Sequence, residues 1–169
     1  MKLKRSAHRL FLNTKGSASA KWYWVGTDME ELNVEMNGSF ETKKNIMDET
    51  SVTDTGYQPS VSATPYYADP EDDIYDFLEK LYLERLSGDD CIAEYLEVVV
   101  KDTEDEKHLA YKESCKIEIV NYGGDTSGMQ IEFNIHPNGG REKGYVTISE
   151  EKEVTYTKGE IPSGQSLSD

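Results

Sequence analysis

The sequence predicts a mainly β protein with a minor α component: an antiparallel β-sandwich or partial barrel flanked by one α-helix at about residues 70–87. Three observations carry that prediction. Apolar and polar residues alternate with a period of two through most of the chain, a single stretch switches to apolar spacings of three and four, and clusters of Gly, Pro, Asn and Asp separate the alternating segments. A chain of 169 residues fits one domain, expected over residues 1–157. The ending "KGEIPSGQSLSD" has almost no large apolar residues, so residues 158–169 are expected to form a flexible tail.

The first three strands are read from "AHRLFLN", "KWYWVG" and "EELNVEMN". The second places Trp22 and Trp24 on one face; the third sets Leu32, Val34 and Met36 against Asn33, Glu35 and Asn37. Next comes "NGSFETKKNIMDETSVTDTG", residues 37–56, whose only large apolar side chains are Phe40, Ile46, Met47 and Val52. It is too long for a connector and too polar for a core. A long functional or disordered loop is expected there. "GYQPSVSATPYY" then reads as a strand, with Pro59 at an edge or entry position because proline donates no ladder hydrogen bond.

The helix is read from "ADPEDDIYDFLEKLYLERLSGDD". Asp69 is the expected N-cap, Pro70 fits the first turn, Gly88 supplies a stop, and Ile74, Phe77, Leu78, Leu81 and Tyr82 form one apolar stripe. Strand signals follow in "CIAEYLEVVVK", with Ile92, Leu96, Val98 and Val100 on one face, and in "ESCKIEIVN", where Cys115, Ile117 and Ile119 oppose Lys116 and Glu118. "MQIEFNIHP" alternates most cleanly, turning Met129, Ile131, Phe133 and Ile135 inward and Gln130, Glu132, Asn134 and His136 outward. "HPNGGREKG" predicts a turn after which "YVTIS" returns as its partner strand.

Charge is unevenly distributed. The net charge is -15, yet six of the 18 basic residues and none of the 33 acidic ones fall within residues 1–25. The acidic remainder repels phosphate, which argues against ordinary nucleic-acid binding and against an anionic membrane. The basic segment (Lys2, Lys4, Arg5, Arg9, Lys15, Lys21) reads either as a solvated strand face or as one half of a contact with the acidic surface of a second copy. No apolar run follows the basic start "MKLKRSAHRLF", so neither a secretory signal nor a membrane span is expected. Cys91 and Cys115 lie inside strand patterns and read as reduced, buried side chains.

No catalytic, metal or cofactor motif stands out, and the chain is not expected to be an enzyme. With 33 carboxylates, the clusters "DPEDD", "DTEDE" and "SEEKE" arise by chance and do not specify an acid–base pair. A calcium loop counted from Asp102 through Glu104 and Glu106 to Glu113 fails because Lys107 stands where a glycine is required. His8, His108 and His136 show no zinc-site spacing with each other or with the cysteines.

A small β protein must manage its sheet edges, and closing sheets from several copies into a ring is one solution. The stretch "WYWVGTDMEELNVEMNGSFETKKNIMDETSVTDTGYQPSVSATPYYADPEDDIYDFLEKL" resembles the corresponding region of major tail tube proteins of long-tailed bacteriophages and prophages of Gram-positive hosts. The aromatic strand ending in "WVG", the "ELNVE" strand, the "NIMDE" segment, "TGYQPSVS" and the acidic helix start before "FLEKL" carry the likeness, which extends over roughly residues 7–157. It implies a fold of the tail tube type, a structural virion protein assembled in the host cytoplasm, and six-membered rings stacked into a hollow tube around a tape-measure protein. It also implies tail terminator and baseplate proteins as partners, with genome DNA passing through without specific binding.

By position, residues 37–56 match the family's ring-stacking loop, which makes Phe40, Lys43, Lys44, Ile46 and Met47 the candidate inter-ring contacts. Lys116, Glu118, Gln130 and Glu132 are candidates for an acidic lumen that keeps DNA from adhering; the outer solvent face is the other reading for these four. An appended immunoglobulin-like domain, carried by some relatives, is not seen. Other tube-fold tail or baseplate subunits share the resemblance. Two different classes stay open from the residues alone: a monomeric carbohydrate-binding sandwich using Trp22, Trp24 or the 11 tyrosines as a stacking platform, and a carboxylate-based hydrolase.

Overall fold

In the computed structural model, residues 2–27, 29, 31–103 and 105–162 are described. The strands are β1 (His8–Asn13), β2 (Tyr23–Val25), β3 (Glu31–Glu35), β4 (Phe40–Lys44), β5 (Thr50–Asp54), β6 (Ser60–Tyr67), β7 (Ile92–Val99), β8 (Lys107–Asp125), β9 (Gly128–Pro137), β10 (Glu142–Ile148) and β11 (Val154–Lys158). One α-helix, α1 (Tyr75–Leu83), lies between β6 and β7. The protein is mainly β, and its main sheet is antiparallel and curled into a half-barrel flanked by that helix. The strand order is β2-β1-β7-β8-β9-β6-β3, with β10 and β11 branching from β8.

The curl is visible in one contact. β2 and β6 stand five positions apart in the sheet, roughly 24 Å if it were flat. Yet the rings of Tyr23 and Tyr66 meet edge to face at 6.3 Å, and Tyr66 meets Phe133 in the same manner at 6.2 Å. The larger core therefore fills the concave side: Leu10, Leu12, Val61, Tyr95, Ile117, Phe133 and Ile135 from the strands, closed by Ile74, Leu78 and Leu81. Asp72 fixes the lid, accepting hydrogen bonds from the hydroxyls of Tyr66 (2.8 Å) and Tyr23 (3.3 Å). Burial and the Asp72 carboxylate both push the Tyr66 hydroxyl pKa up.

A second, smaller core lies on the opposite face, where Phe11, Leu96, Val98, Ala110 and Val146 are covered by Trp22, Trp24, Val154 and Tyr156. β1 and β7 are thus covered on both faces. This changes the reading of "CIAEYLEVVVK": Ala93 and Tyr95 face the larger core, Leu96, Val98 and Val100 the smaller one, and Ile92 is exposed. Trp22 and Trp24 do share a face, as packing residues of the smaller core, with the Arg9 guanidinium 4.7 Å from the Trp24 ring centre. Cys91 and Cys115 are buried free thiols, and burial pushes the Cys115 thiol up to about 12.

Four local expectations are revised. First, residues 37–56 are not an unstructured loop: β4 and β5 form a two-stranded antiparallel sheet of their own, which the Thr, Val and Phe content of "FETKK" and "TSVTD" favours. Second, β10 does not pair with β9. Both lie end to end along one edge of β8, with β10 opposite residues 107–112 and β9 opposite residues 115–125. The positive φ values of Gly139 and Gly140 let the connector turn, and Asn138 N–H bonds Ser114 O to hold it there.

Third, the regular part of the helix is shorter than residues 70–87. Asp69 accepts Glu71 N–H on its side chain (2.9 Å) and Asp72 N–H on its carbonyl (3.0 Å), so the first turn is a tight turn and not helix. At the other end Arg85, and not Gly88, makes the stop. Its φ is 51°, Leu86 N–H returns to Leu81 O and Arg85 N–H to Tyr82 O, the paired bonds of a Schellman closure. Fourth, no tail begins at Lys158: Lys158 belongs to β11 and Gly159 N–H bonds Lys143 O, while residues 163–169 lie outside the described residues.

A polar network ties four elements together where the sheet branches. His8 donates Nε2–H to Glu97 Oε1 (3.0 Å), Arg141 donates to Glu97 Oε2 (3.2 Å) and to Glu113 Oε1 (2.6 Å), and Tyr95 donates its hydroxyl to Glu97 (3.3 Å). Glu113, part of the rejected calcium loop, is therefore an ion-pair partner; Glu104 of that loop lies outside the described residues. The His8 hydrogen bond, with Arg141 beside it, holds the Glu97 carboxyl at about 2 against an ordinary 4.5, although burial opposes ionisation.

A carboxyl lowered on folding stabilises the native state above its unfolded pKa and loses that contribution as pH falls through its folded pKa. Urea-unfolding free energies should therefore decline between about pH 4.5 and pH 2, with Glu97 contributing at most on the order of 3 kcal/mol. Glu97→Gln should flatten that part of the profile, and an unchanged acid slope would refute the assignment. Replacing Arg85 by glycine should stabilise the fold by about 0.5–1 kcal/mol, because only glycine adopts a positive φ without strain; a fall in melting temperature would count against the Schellman closure.

Candidate functional site

Two surfaces hold the residues singled out from the sequence. The first is the β4–β5 hairpin. Its cross-strand pairs run from Phe40 opposite Asp54 to Lys44 opposite Thr50, placing Phe40, Thr42 and Lys44 on one face with Val52 and Asp54, and Glu41 and Lys43 on the other. Every residue of both strands is exposed. The apolar side chains are displayed to solvent: Ile46 is 103% exposed, Met47 74%, Val52 66% and Phe40 61%.

Isolated two-stranded hairpins are marginal in water, so this one depends on its turn and its base. Asn45 organises the turn. Its Oδ1 accepts the N–H groups of Met47 (2.9 Å) and Glu49 (3.0 Å), and its Nδ2 donates to the Glu49 carboxylate (2.8 Å). The Lys44–Asp48 ion pair (2.8 Å) closes the tip, and Lys43 pairs with Glu41 (3.5 Å) on the opposite face. At the base, Asn37, with φ 47°, donates to Gln58 O and Ser60 Oγ, while Phe40 meets Tyr57 edge to face. The five candidate contacts are thus brought onto one projecting arm, with Lys43 facing away from Phe40.

The second surface is the convex face of β3, β6, β9 and the C-terminal half of β8. Lys116, Glu118, Gln130 and Glu132 all belong to it, since they alternate with the core residues Ile117, Ile131 and Phe133. Register extends it into one polar row: Asn33 opposite Ser62, Ser62 opposite Asn134, and Asn134 opposite Glu118. Glu118 accepts from His136 Nε2 (2.7 Å) and from Asn134 (3.3 Å), and these bonds, His136 first, lower its pKa. Glu132 accepts from Asn121 (2.6 Å), and Gln130 reaches toward Ser127 (3.5 Å) at the β8–β9 turn.

Alternation places Asn33, Asn134 and His136 on the outward side without making them candidates, and Ser62 carries no signal of its own. Alternation marked the outward side chains, but only the strand register joins them into a row. On the second surface the carboxylates of Glu118 and Glu132 are hydrogen-bonded on an open sheet face, and no group of three or more potential metal ligands occurs among the described residues.

Asn45→Ala should fray the arm, raising amide exchange across residues 40–54, while the melting temperature of the domain changes by less than about 1 °C because the arm buries none of the core. A large loss of global stability would show that the arm is part of the folding unit.

Comparison with models of known protein families finds no match to this chain, and comparison with curated proteins finds no significant one.

Proposed function

We propose that the chain is a structural, self-assembling subunit of a phage tail tube, acting through the β4–β5 arm and not through catalysis. The observation that carries this reading is the arm itself. It is stiffened by a dedicated turn, yet displays Phe40, Ile46, Met47 and Val52 to water, an arrangement whose stability improves only when another surface covers it. In the tail tube reading, that surface belongs to the next ring, with Lys43 and Lys44 beside its acidic patches.

The polar sheet face fits the same role. Glu31, Glu35, Glu118 and Glu132 outnumber Lys116 on the convex side, and a wall of that charge repels phosphate and lets DNA slide. The basic N-terminal segment and the acidic body place opposite charge on one chain, which favours head-to-tail association between copies, with Lys15 and Lys21 already paired to Asp73 of their own chain. Ring size, the tape-measure protein and the terminator and baseplate partners follow from the resemblance alone. The carbohydrate-binding reading loses Trp22 and Trp24 as a platform, since they serve the smaller core and Arg9 covers Trp24, and would rest on exposed tyrosines such as Tyr57.

Negative-stain electron microscopy of concentrated protein should show rings or tubes. Exchanging residues 40–54 for a short Gly-Ser connector should leave the circular dichroism spectrum and melting temperature nearly unchanged while abolishing tubes. Ile46→Ser combined with Met47→Ser should weaken tube growth in the same direction. Normal tube growth by the hairpin-less chain would overturn the role given to the arm, and persistent absence of rings and tubes for the unaltered protein would overturn the tube reading.

A further inference from the structure

β8 offers an incomplete edge. On its β7 side, pairing runs only from Leu109 to Lys116, because β7 begins at Ile92; residues 117–125 have no strand partner on that edge among the described residues. The chain that would have continued the pairing swerves away through the 3₁₀ turn Gly88–Cys91 and α1. What remains is a groove of about 580 Å³ between the bare edge and the C-terminal end of α1.

The groove is lined by Leu81, Leu86, Ile117, Ile119 and Val120, with Val120 48% exposed. Arg85 and Lys116 add positive charge to the lining, and Glu118, hydrogen-bonded to His136, adds one carboxylate. Tyr82 stacks flat on Tyr122, with ring centres 4.0 Å apart and planes 5° apart, which fixes the helix wall at a set distance from the strand. An extended segment entering this space would find backbone donors and acceptors along one side and apolar positions at alternate residues, the two requirements of strand addition.

The same molecule carries a segment with the matching deficits. β4 and β5 pair only with each other, so the outer edge of β5 is also without a strand partner among the described residues. On that strand Val52 is apolar and exposed and Asp54 is acidic, as is Glu49 just before the strand, which suits a groove in which Arg85 and Lys116 outnumber Glu118. We propose that the β8–α1 groove of one copy receives β5 of a second copy as an added strand, Val52 entering the apolar lining. This rests on the reading of the arm as an assembly element and names its receptor. Donor and receiver are different surfaces of one chain, so the contact is head to tail and leaves a free arm and a free groove at opposite ends of every dimer.

The test uses two full-length variants, Val52→Cys and Val120→Cys, one isotopically labelled, mixed at high concentration with oxidised glutathione. The mixture should yield a disulfide heterodimer well above either homodimer, identified by mass spectrometry of the peptide pair bearing the introduced thiols. Cys115 is buried away from the groove, whereas the free thiol Cys91 lines it, so both variants also carry Cys91→Ser. Val120→Asp, made in the otherwise unaltered chain, should remove assembly and leave the monomer's melting temperature unchanged. Statistical cross-linking, or normal assembly by Val120→Asp, overturns the groove assignment. Microscopy of the same samples separates the two claims: tubes with only statistical cross-linking reject the groove and spare the tube reading, whereas the specific heterodimer without rings or tubes supports the groove and counts against the tube.

Discussion

The rest of the structure depends on the length of β8. At 19 residues it outruns any single neighbour, and its surroundings are arranged to divide it. β10 and β9 share one edge end to end, and β7 covers only the N-terminal part of the other. From that division follow the branching of the sheet, the curl that brings Tyr23 to Tyr66, and the bare stretch beside α1. Arg141 sits at the junction, gripping Glu97 and Glu113 from the connector between β9 and β10.

Burying strands on both faces is expensive in apolar residues, and this chain has only 36% hydrophobic composition. It concentrates them. β1 and β7 serve two cores at once, tyrosines fill volume while their hydroxyls find carboxylate partners, and the convex face of β3, β6 and β9 is left polar. The apolar side chains spent on the arm are therefore conspicuous. Phe40, Ile46, Met47 and Val52 contribute nothing to either core.

Much of this was legible in the sequence, and the parts that were not share a cause. Alternation in "MQIEFNIHP" correctly separated Ile131, Phe133 and Ile135 from Gln130, Glu132 and Asn134, because a strand with one dry and one wet face has a local signature, although Met129 at its start is exposed and not turned inward. It could not show which strand lay beside it, so β10 was paired with β9 on the strength of a turn. β7 misled for the opposite reason: covered on both faces, it has no single apolar phase. Asp69 carries the composition of a helix cap, but Asp72 is claimed by Tyr66 and Tyr23, a tertiary demand no helical window contains. The hairpin was hidden by its polarity, since nothing in "FETKK" or "TSVTD" is buried.

The arm's attachment has a mechanical consequence. β4 follows β3 and β5 leads into β6, and β3 and β6 are themselves neighbours paired from Glu31–Thr64 to Glu35–Ser60. A pull on the arm draws both roots in the same direction, so it does not peel β3 from β6; it slides the pair against β9, loading the β6–β9 hydrogen bonds in parallel. Sheared ladders yield together and unzipped ones yield bond by bond. A tug along the strand axis is therefore carried by the β6–β9 ladder as a whole, and subunits joined through such arms would share a stretching load across its rungs.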